Sequence, residues 1–562
     1  MAITGESTAD MQFRRDPGKN SAASLHDEAL QSSKLGGEKH VGGTKMSACW
    51  PRRALGIALL LAALSGCSTI DFDYPRTESH ALTDTDDTEL GRLIQPIVVD
   101  KPEGESGFLT MLNGIDALAA RLMLGRRAEK SIDVQYYLIK NDVVGRVFIY
   151  NLLNAADRGV RVRLLVDDMF TSGLDVGLAA LDSHPNFSIR IFNPFKRGAA
   201  GRSLGSIGNI SRINRRMHNK SFTVDNQITI IGGRNIADEY FGARKDAKFG
   251  DLDVAGMGPI VQDISNMFDE YWNHETALPV LAFVKELDDP EAELDRVREF
   301  LAQSREEILK TEYADAVTAK FVQFMGGDGS KFRWAPYQMV VDSPDKGIKK
   351  KAKDADQILT PLVESLRSAK SEAIIISPYF VPRKRGVEGF SALEERGVDV
   401  TIVTNSLAAN NQFTVHAGYA GSRKPLLKAG AEIWEVKPHA TIQGAELVAA
   451  VGAKATLHTK AFIVDREQMF IGSFNFDPRS ANINTELGVI IHDPGLASYY
   501  ADYVREVLPI VTYEVFLDDR NKLRWRDYET DPATIFDKEP ETSWWDRRKV
   551  GFVKILPVRG QL

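Results

Sequence analysis

One pattern occurs twice in this chain of 562 residues. "MHNKSFTVDNQITIIGGRNIADEY" runs from Met217 to Tyr240, and "LHTKAFIVDREQMFIGSFNFDPRS" from Leu457 to Ser480. Each copy has a histidine two residues before a lysine, an aspartate five residues after that lysine, and a Gly-x-x-Asn turn beyond it. A second landmark repeats at almost the same offset: "RGVRVRLLV" from Arg158 and "RGVDVTIVT" from Arg396. Two landmarks that share one offset mark an internal duplication, so the chain must fold as two related halves.

The local pattern in each half is strand, helix, strand. Ser131–Ile139 alternates and is rich in aromatic and β-branched residues, which predicts a strand. Val143–Gly159 has helical spacing, with Gly159 where a C-terminal glycine belongs, and Val160–Asp168 predicts the next strand. The order returns in "EAIIISPYFV", "FSALEERG" and "VDVTIVTNS". Such βαβ units place the chain in the α/β class. Between the halves, Pro290–Lys320 is charged and helical, an inserted connection.

Net charge is −7 and the isoelectric point about 5.9. A protein that grips many phosphates non-specifically is usually basic, so no nucleic-acid partner is expected. The two cysteines, Cys49 and Cys67, permit neither a disulfide framework nor a multi-cysteine metal site. Residues 1–45 are polar and aperiodic, expected as a disordered extension or the upstream stretch of a mis-called start. From Met46, Arg52 and Arg53 precede an apolar run, Ala54–Leu64, too short to span a bilayer but suited to a signal peptide over 46–66. The "LSGC" that ends at Cys67 resembles the bacterial lipobox, which implies a lipidated Cys67 as mature N-terminus. With Ser68 after it, the expectation is a lipid anchor in the cell envelope facing the periplasm, in the outer rather than the inner membrane.

On a strand, residues two apart share a face, so His218 faces with Lys220, and His458 with Lys460. Asp225 and Asp465 have the opposite parity and are expected at strand ends as structural partners. The glycine turns can aim Asn235, Ser473, Asn475 and backbone N–H groups at an anion. Two lysines and two asparagines around one anion suit a phosphate. The histidines add a nucleophile and a proton carrier able to work near neutral pH. Each lysine puts a cation where a metal would want a carboxylate, so neither a metal nor another cofactor is expected.

This pattern resembles the phospholipase D superfamily, whose motif is His-x-Lys, four residues, Asp, six residues, Gly-Ser-x-Asn. The second copy matches at His458, Lys460, Asp465, Gly472, Ser473 and Asn475; the first matches at His218, Lys220, Asp225, Gly232 and Asn235 and departs at Gly233. "RRMHNKSF", "IGGRNIADEYF" and "HAGYAGSRKPLL" make it similar to the bacterial cardiolipin synthases, from Gly107 onward. The resemblance implies two duplicated α/β/α sandwich halves, a pseudo-dimer with one shared active site. The halves are expected at 107–283 and 336–515, with a linker at 67–106, a helical connection at 284–335 and a C-terminal extension at 516–562. It also implies a catalytic set of His218, Lys220, Asp225, His458, Lys460 and Asp465. His218 would be the nucleophile of a phosphohistidine intermediate, and His458 the acid and then the base. Each histidine would be oriented by a carboxylate downstream of it: Asp251 (or Asp253) after His218, and Glu486 after His458.

The implied activity is phosphatidyl transfer between phospholipids at a membrane surface, with phosphatidylglycerol as substrate and phosphatidylethanolamine as the other candidate donor. The alternative is a periplasmic phospholipase D, phosphodiesterase or nuclease that uses water. Arg212, Arg215 and Arg216 are candidates for anionic headgroups, and His416 for the acceptor side. Trp544 and Trp545, set among Arg and Lys, suit a membrane interface.

Overall fold

The computed structural model describes residues 70–197, 210–243, 248–325, 331–349, 351–352, 357–410, 412–439 and 455–553. The expected extension, the signal peptide and Cys67 lie outside the described residues.

The first half contributes β1 (Glu105–Met111), β2 (Ser131–Tyr136), β3 (Arg161–Asp167), β4 (Phe187–Phe192), β5 (Ser221–Val224), β6 (Ile228–Gly232), β7 (Lys248–Gly250), β8 (Asp253–Met257) and β9 (Ala277–Pro279). Pairing runs β1-β8-β6-β5-β2-β3-β4-β9, with β2, β3 and β4 parallel and the other pairs antiparallel. The second half contributes β10 (Arg333–Val341), β11 (Glu372–Ile376), β12 (Asp399–Asn405), β13 (Glu432–Val436), β14 (Ala455–Leu457), β15 (Ala461–Val464), β16 (Gln468–Gly472), β17 (Leu487–Ile491), β18 (Thr512–Leu517), β19 (Leu523–Asp527) and β20 (Thr534–Phe536). Its order, β10-β17-β16-β15-β11-β12-β13-β18, repeats the first strand for strand. β1 and β10 pair antiparallel and fuse the halves into one 18-stranded sheet.

Helices cover both faces, so the parallel strands are largely buried, and β2 and β11 are buried at every residue. The helices Pro259–Asn273 and Pro494–Val511 bury Ile264, Phe268, Ala501 and Val504 in one core shared by both halves. The helix Val143–Asp157 starts at Asp142, whose side chain accepts from the Gly145 amide at 3.0 Å. It stops at Gly159, which takes a φ of 95°.

Three segments outside the duplicated halves pack into the fold. Residues 70–106 are no free linker. Thr88 caps the helix Glu89–Val99, which buries Leu90 and Ile94 in the first core, and Arg163 donates to the Ser79 carbonyl. The connection forms the helices Pro290–Ile308 and Glu312–Met325, and Leu294, Leu301 and Val317 join the first-half core. The C-terminal extension is likewise integral: β19 and β20 widen the sheet, and the helix Trp544–Val553 follows.

Candidate active site

The site is built by backbone pairing between the halves. β14 runs parallel to β7, with Leu457 opposite Gly250. The next residues on each side, His458 and Asp251, therefore become neighbours. The same happens across the pseudo-twofold: Met217 pairs in parallel with Thr485, and His218 and Glu486 follow. The His218 amide donates to the Thr485 carbonyl at 2.9 Å, and the His458 amide to the Gly250 carbonyl at 2.8 Å. These bonds also correct a detail of the expected strands. The His-x-Lys residues precede β5 and β15, because the histidine amides are spent on the opposite half.

The consequence is a crossed arrangement. His218 Nδ1 lies 2.7 Å from Glu486 Oε2, and His458 Nδ1 lies 2.6 Å from Asp251 Oδ2. Each histidine takes its carboxylate from the other half, whereas the sequence spacing assigned Asp251 to His218 and Glu486 to His458. Spacing along the chain cannot reveal a pairing made between halves. Asp253, the alternate, is spent elsewhere: it pairs with Arg121 at 2.8 Å and accepts from the Arg234 amide at 3.3 Å. A carboxylate at Nδ1 keeps the proton there and makes Nε2 the working nitrogen; on His458 it lies 3.4 Å from the Tyr240 hydroxyl.

Lys220 and Lys460 are buried beside the histidines, and each donates to the carbonyl of its own histidine. Burial, with Lys220 and Lys460 nearby, outweighs the pull of Glu486 and pushes His218 down to about 4. Burial and Lys460 push His458 down to about 3. Burial also lowers Lys220 to about 7 and Lys460 to about 8. Burial works against the carboxylates, yet His218 and Lys220 hold Glu486 below its usual range, and Lys460 and His458 do the same for Asp251. An anionic phosphate among these groups would raise both lysines back towards full charge.

Ser473 Oγ donates to Glu486 Oε2 at 2.5 Å and accepts from the Leu487 amide at 3.0 Å. In the other half, a Cβ on Gly233 would fall 2.2 Å from Asp251 Oδ1, so a larger residue there would displace Asp251. The departure from the motif is thus a packing requirement of Asp251. Asn235 Nδ2 donates to the Tyr240 hydroxyl at 2.9 Å, and the Oδ1 atoms of Asn235 and Asn475 are buried without a partner among the described residues. An amide can present either end, so both asparagines have hydrogen-bonding capacity to spare for a ligand.

Asp225 and Asp465 belong to the scaffold, a correction to their place in the catalytic set. Asp225 accepts from the amides of Glu129, Lys130 and Ser131, and Asp465 from those of Lys370, Ser371 and Glu372. Each sits in a hairpin turn at positive φ, 49° and 53°, at the far end of its strand from the histidine.

The other candidates divide. Arg212 donates to Asn193 and the Pro194 carbonyl, and Arg215 to the Lys346 carbonyl, so both serve the loop. Arg216 is buried against Asp167 and keeps Nε and Nη2 unpartnered among the described residues. His416 does not line the site. It is fully buried between Arg423 and Glu539, where burial lowers its pKa. Sequence reasoning missed the aromatic walls. Tyr137 meets the His218 ring edge-on at 5.1 Å, Tyr240 meets the His458 ring edge-on at 4.9 Å, and Phe249 stacks on His458 at 5.5 Å. Tyr240 and Phe249 stand near Asn235 and Asp251 in sequence, the one signal that could have marked them.

The model of the family "Cardiolipin synthase, PLD-like domain" matches residues 124–272 and 362–508, one stretch in each half. Cardiolipin synthase C of Escherichia coli is 40% identical over 483 residues, which cover 84% of this chain and 98% of that protein. A cardiolipin synthase of Staphylococcus aureus is 26% identical over 376 residues, 66% of this chain and 61% of its own length. Among solved structures, the phosphatidylserine synthase of Haemophilus influenzae superposes with a TM-score of 0.51 at 12% identity, covering 81% of this chain and 95% of that one. With one matched domain in each half and a relative matched over nearly its whole length, this chain belongs to the phospholipase D-like cardiolipin synthase family of enzymes.

Proposed function

We propose that this enzyme makes cardiolipin by moving a phosphatidyl group between phospholipids through a phosphohistidine. The observation that carries the reading is the pair of crossed histidine–carboxylate dyads, with a lysine and an asparagine from each half around them. His218 Nε2 attacks the phosphorus of a phospholipid, and its Nδ1–H stays on Glu486, which steadies the positive ring. The negative charge of the bound phosphate raises His458 from its low resting value, so that it carries a second proton on Nε2 and passes it to the headgroup oxygen as that leaves. His458, now neutral, takes the proton of a phosphatidylglycerol hydroxyl, which attacks phosphorus and releases His218. Lys220, Lys460, Asn235 and Asn475 hold the non-bridging oxygens, where charge builds up.

Phosphatidylglycerol serves as donor and acceptor, and phosphatidylethanolamine as an alternative donor. The test is the product of purified protein with defined lipids in vesicles: cardiolipin is expected, and phosphatidic acid alone would replace this reading with a hydrolase.

The helix Trp544–Val553 supports a membrane contact. Trp544 and Trp545 are 52% and 67% exposed and adjoin Arg547, Arg548 and Lys549, a combination suited to an anionic headgroup layer. Among the described residues no helix is long and apolar enough to cross a membrane. A lipidated Cys67 in the outer membrane would tether the enzyme to a phospholipid surface. Intact-mass analysis of membrane-extracted protein should show Cys67 acylated with residues 46–66 removed.

A further inference from the structure

A groove of about 260 Å³ opens on the first half beside Tyr137. Its walls come from separate elements: Val166 of β3, Ile149 of the helix Val143–Asp157, Leu178 of the helix Asp175–Asp182, and Phe300 of the helix Pro290–Ile308. The inserted connection therefore has a use: it closes one side of the groove. Tyr137 joins the groove to the chemistry, since its ring meets His218 on one side and Phe170 at 5.4 Å on the other.

The ligand must be apolar. Polar groups on the wall already have partners: Lys140 with Glu239, Arg146 with Asn141, and Asp167 with the Met217 amide. What remains is aliphatic and aromatic surface, with Phe170 and Phe300 still 46% and 44% exposed at the rim. An apolar channel leading away from a phosphate site suits a molecule with a phosphate at one end and a hydrocarbon chain at the other.

We propose that this groove holds an acyl chain of the phospholipid whose phosphate lies between His218 and His458. The assignment rests on the phosphatidyl-transfer reading and extends it: the first half selects its substrate by chain as well as by phosphate. A chain in the groove gains with each buried methylene, so turnover depends on chain length until the groove is full.

Gly177 gives the test. It lines the groove on a helix, and a Cβ there meets nothing within 4 Å, so a larger side chain fills the groove without displacing the core. Gly177→Phe should lower the ratio of kcat/KM for dipalmitoyl over dihexanoyl phosphatidylglycerol about tenfold. An unchanged ratio would overturn the proposal. Independently, phosphatidylglycerol carrying a diazirine on its acyl chain should crosslink the wild-type protein within residues 170–181 or 297–301. Labelling elsewhere would overturn the groove even with phosphatidyl transfer intact. Labelling in the groove by an enzyme that transfers no phosphatidyl group would support the groove and sink the function reading instead.

Discussion

The two halves share one strand order but hold the carboxylates beside the opposite half's histidines differently. Glu486 is long, and a serine hydroxyl at 473 steadies it. Asp251 is short, and its carboxylate fills the space a Cβ at Gly233 would take. Both solve one problem, keeping an acid beside the opposite half's histidine, by opposite means: an added hydrogen bond in one half and a deleted side chain in the other. The duplication has therefore kept the geometry while letting the chemistry of each dyad diverge, which suits a reaction that needs one nucleophile and one proton carrier.

The largest effects should come from the histidines themselves. His218→Ala and His458→Ala should each lower turnover about 10⁴-fold or more, measured as cardiolipin formed per enzyme. A small loss for either would break the idea of a shared site.

Next come the carboxylates, where about 10²- to 10⁴-fold is expected for loss of the orienting charge. The crossing makes the pattern specific. Glu486→Gln should behave as a weaker His218 variant and Asp251→Asn as a weaker His458 variant, judged by burst kinetics with a donor whose headgroup leaves easily. If Asp251→Asn removed the burst and Glu486→Gln kept it, the pairing between halves would be wrong.

The steadying residues should matter less, and unequally. Gly233→Ser must displace Asp251 and should cost about ten- to a hundredfold in kcat. Ser473→Ala removes one hydrogen bond from Glu486 and leaves the Leu487 amide unpaired, worth about three- to tenfold. Steady-state kinetics of the two variants side by side would show whether the halves differ as their packing does.

The smallest effect is on stability. Both histidines are pushed down, to about 4 and about 3, so the unfolded chain takes up protons first as pH falls below about 6.5. This contribution to stability is complete above that pH and is lost as pH drops towards about 3. Urea midpoints across this range should decline in the wild type and decline less in a His218→Asn/His458→Asn variant. Parallel curves would show that neither histidine carries the dependence.

Much of this was legible in the sequence because the duplication doubled a weak signal. One His-x-Lys stretch is common; two with matching aspartates and Gly-x-x-Asn turns name the site residues and place both copies together. The βαβ order and the inserted helices were also readable, since Pro290 and the parallel strands carry strong local patterns. What stayed hidden depends on contacts between halves. The crossed dyads arise from the pairings of Leu457 with Gly250 and of Met217 with Thr485, which no local pattern encodes. Asp225 and Asp465 repeat with the histidines and lysines, and the resemblance counted them with the catalytic set, but strand parity had already placed them at strand ends, where they serve the backbone of β2 and β11. Residues 70–106 looked like a linker because Pro96 interrupts the helical pattern of Glu89–Val99, whose stability comes from packing on the first half.

The central claim, one nucleophile oriented from the opposite half, can be tested by trapping the intermediate. A donor with a good leaving group is mixed with enzyme, quenched at a pH that preserves phosphohistidine, and mapped by mass spectrometry. The account predicts the phosphatidyl group on His218 in the wild type and in Asp251→Asn, and its loss in Glu486→Gln. The group on His458 with His218 unmodified, or its loss in Asp251→Asn and survival in Glu486→Gln, would contradict it.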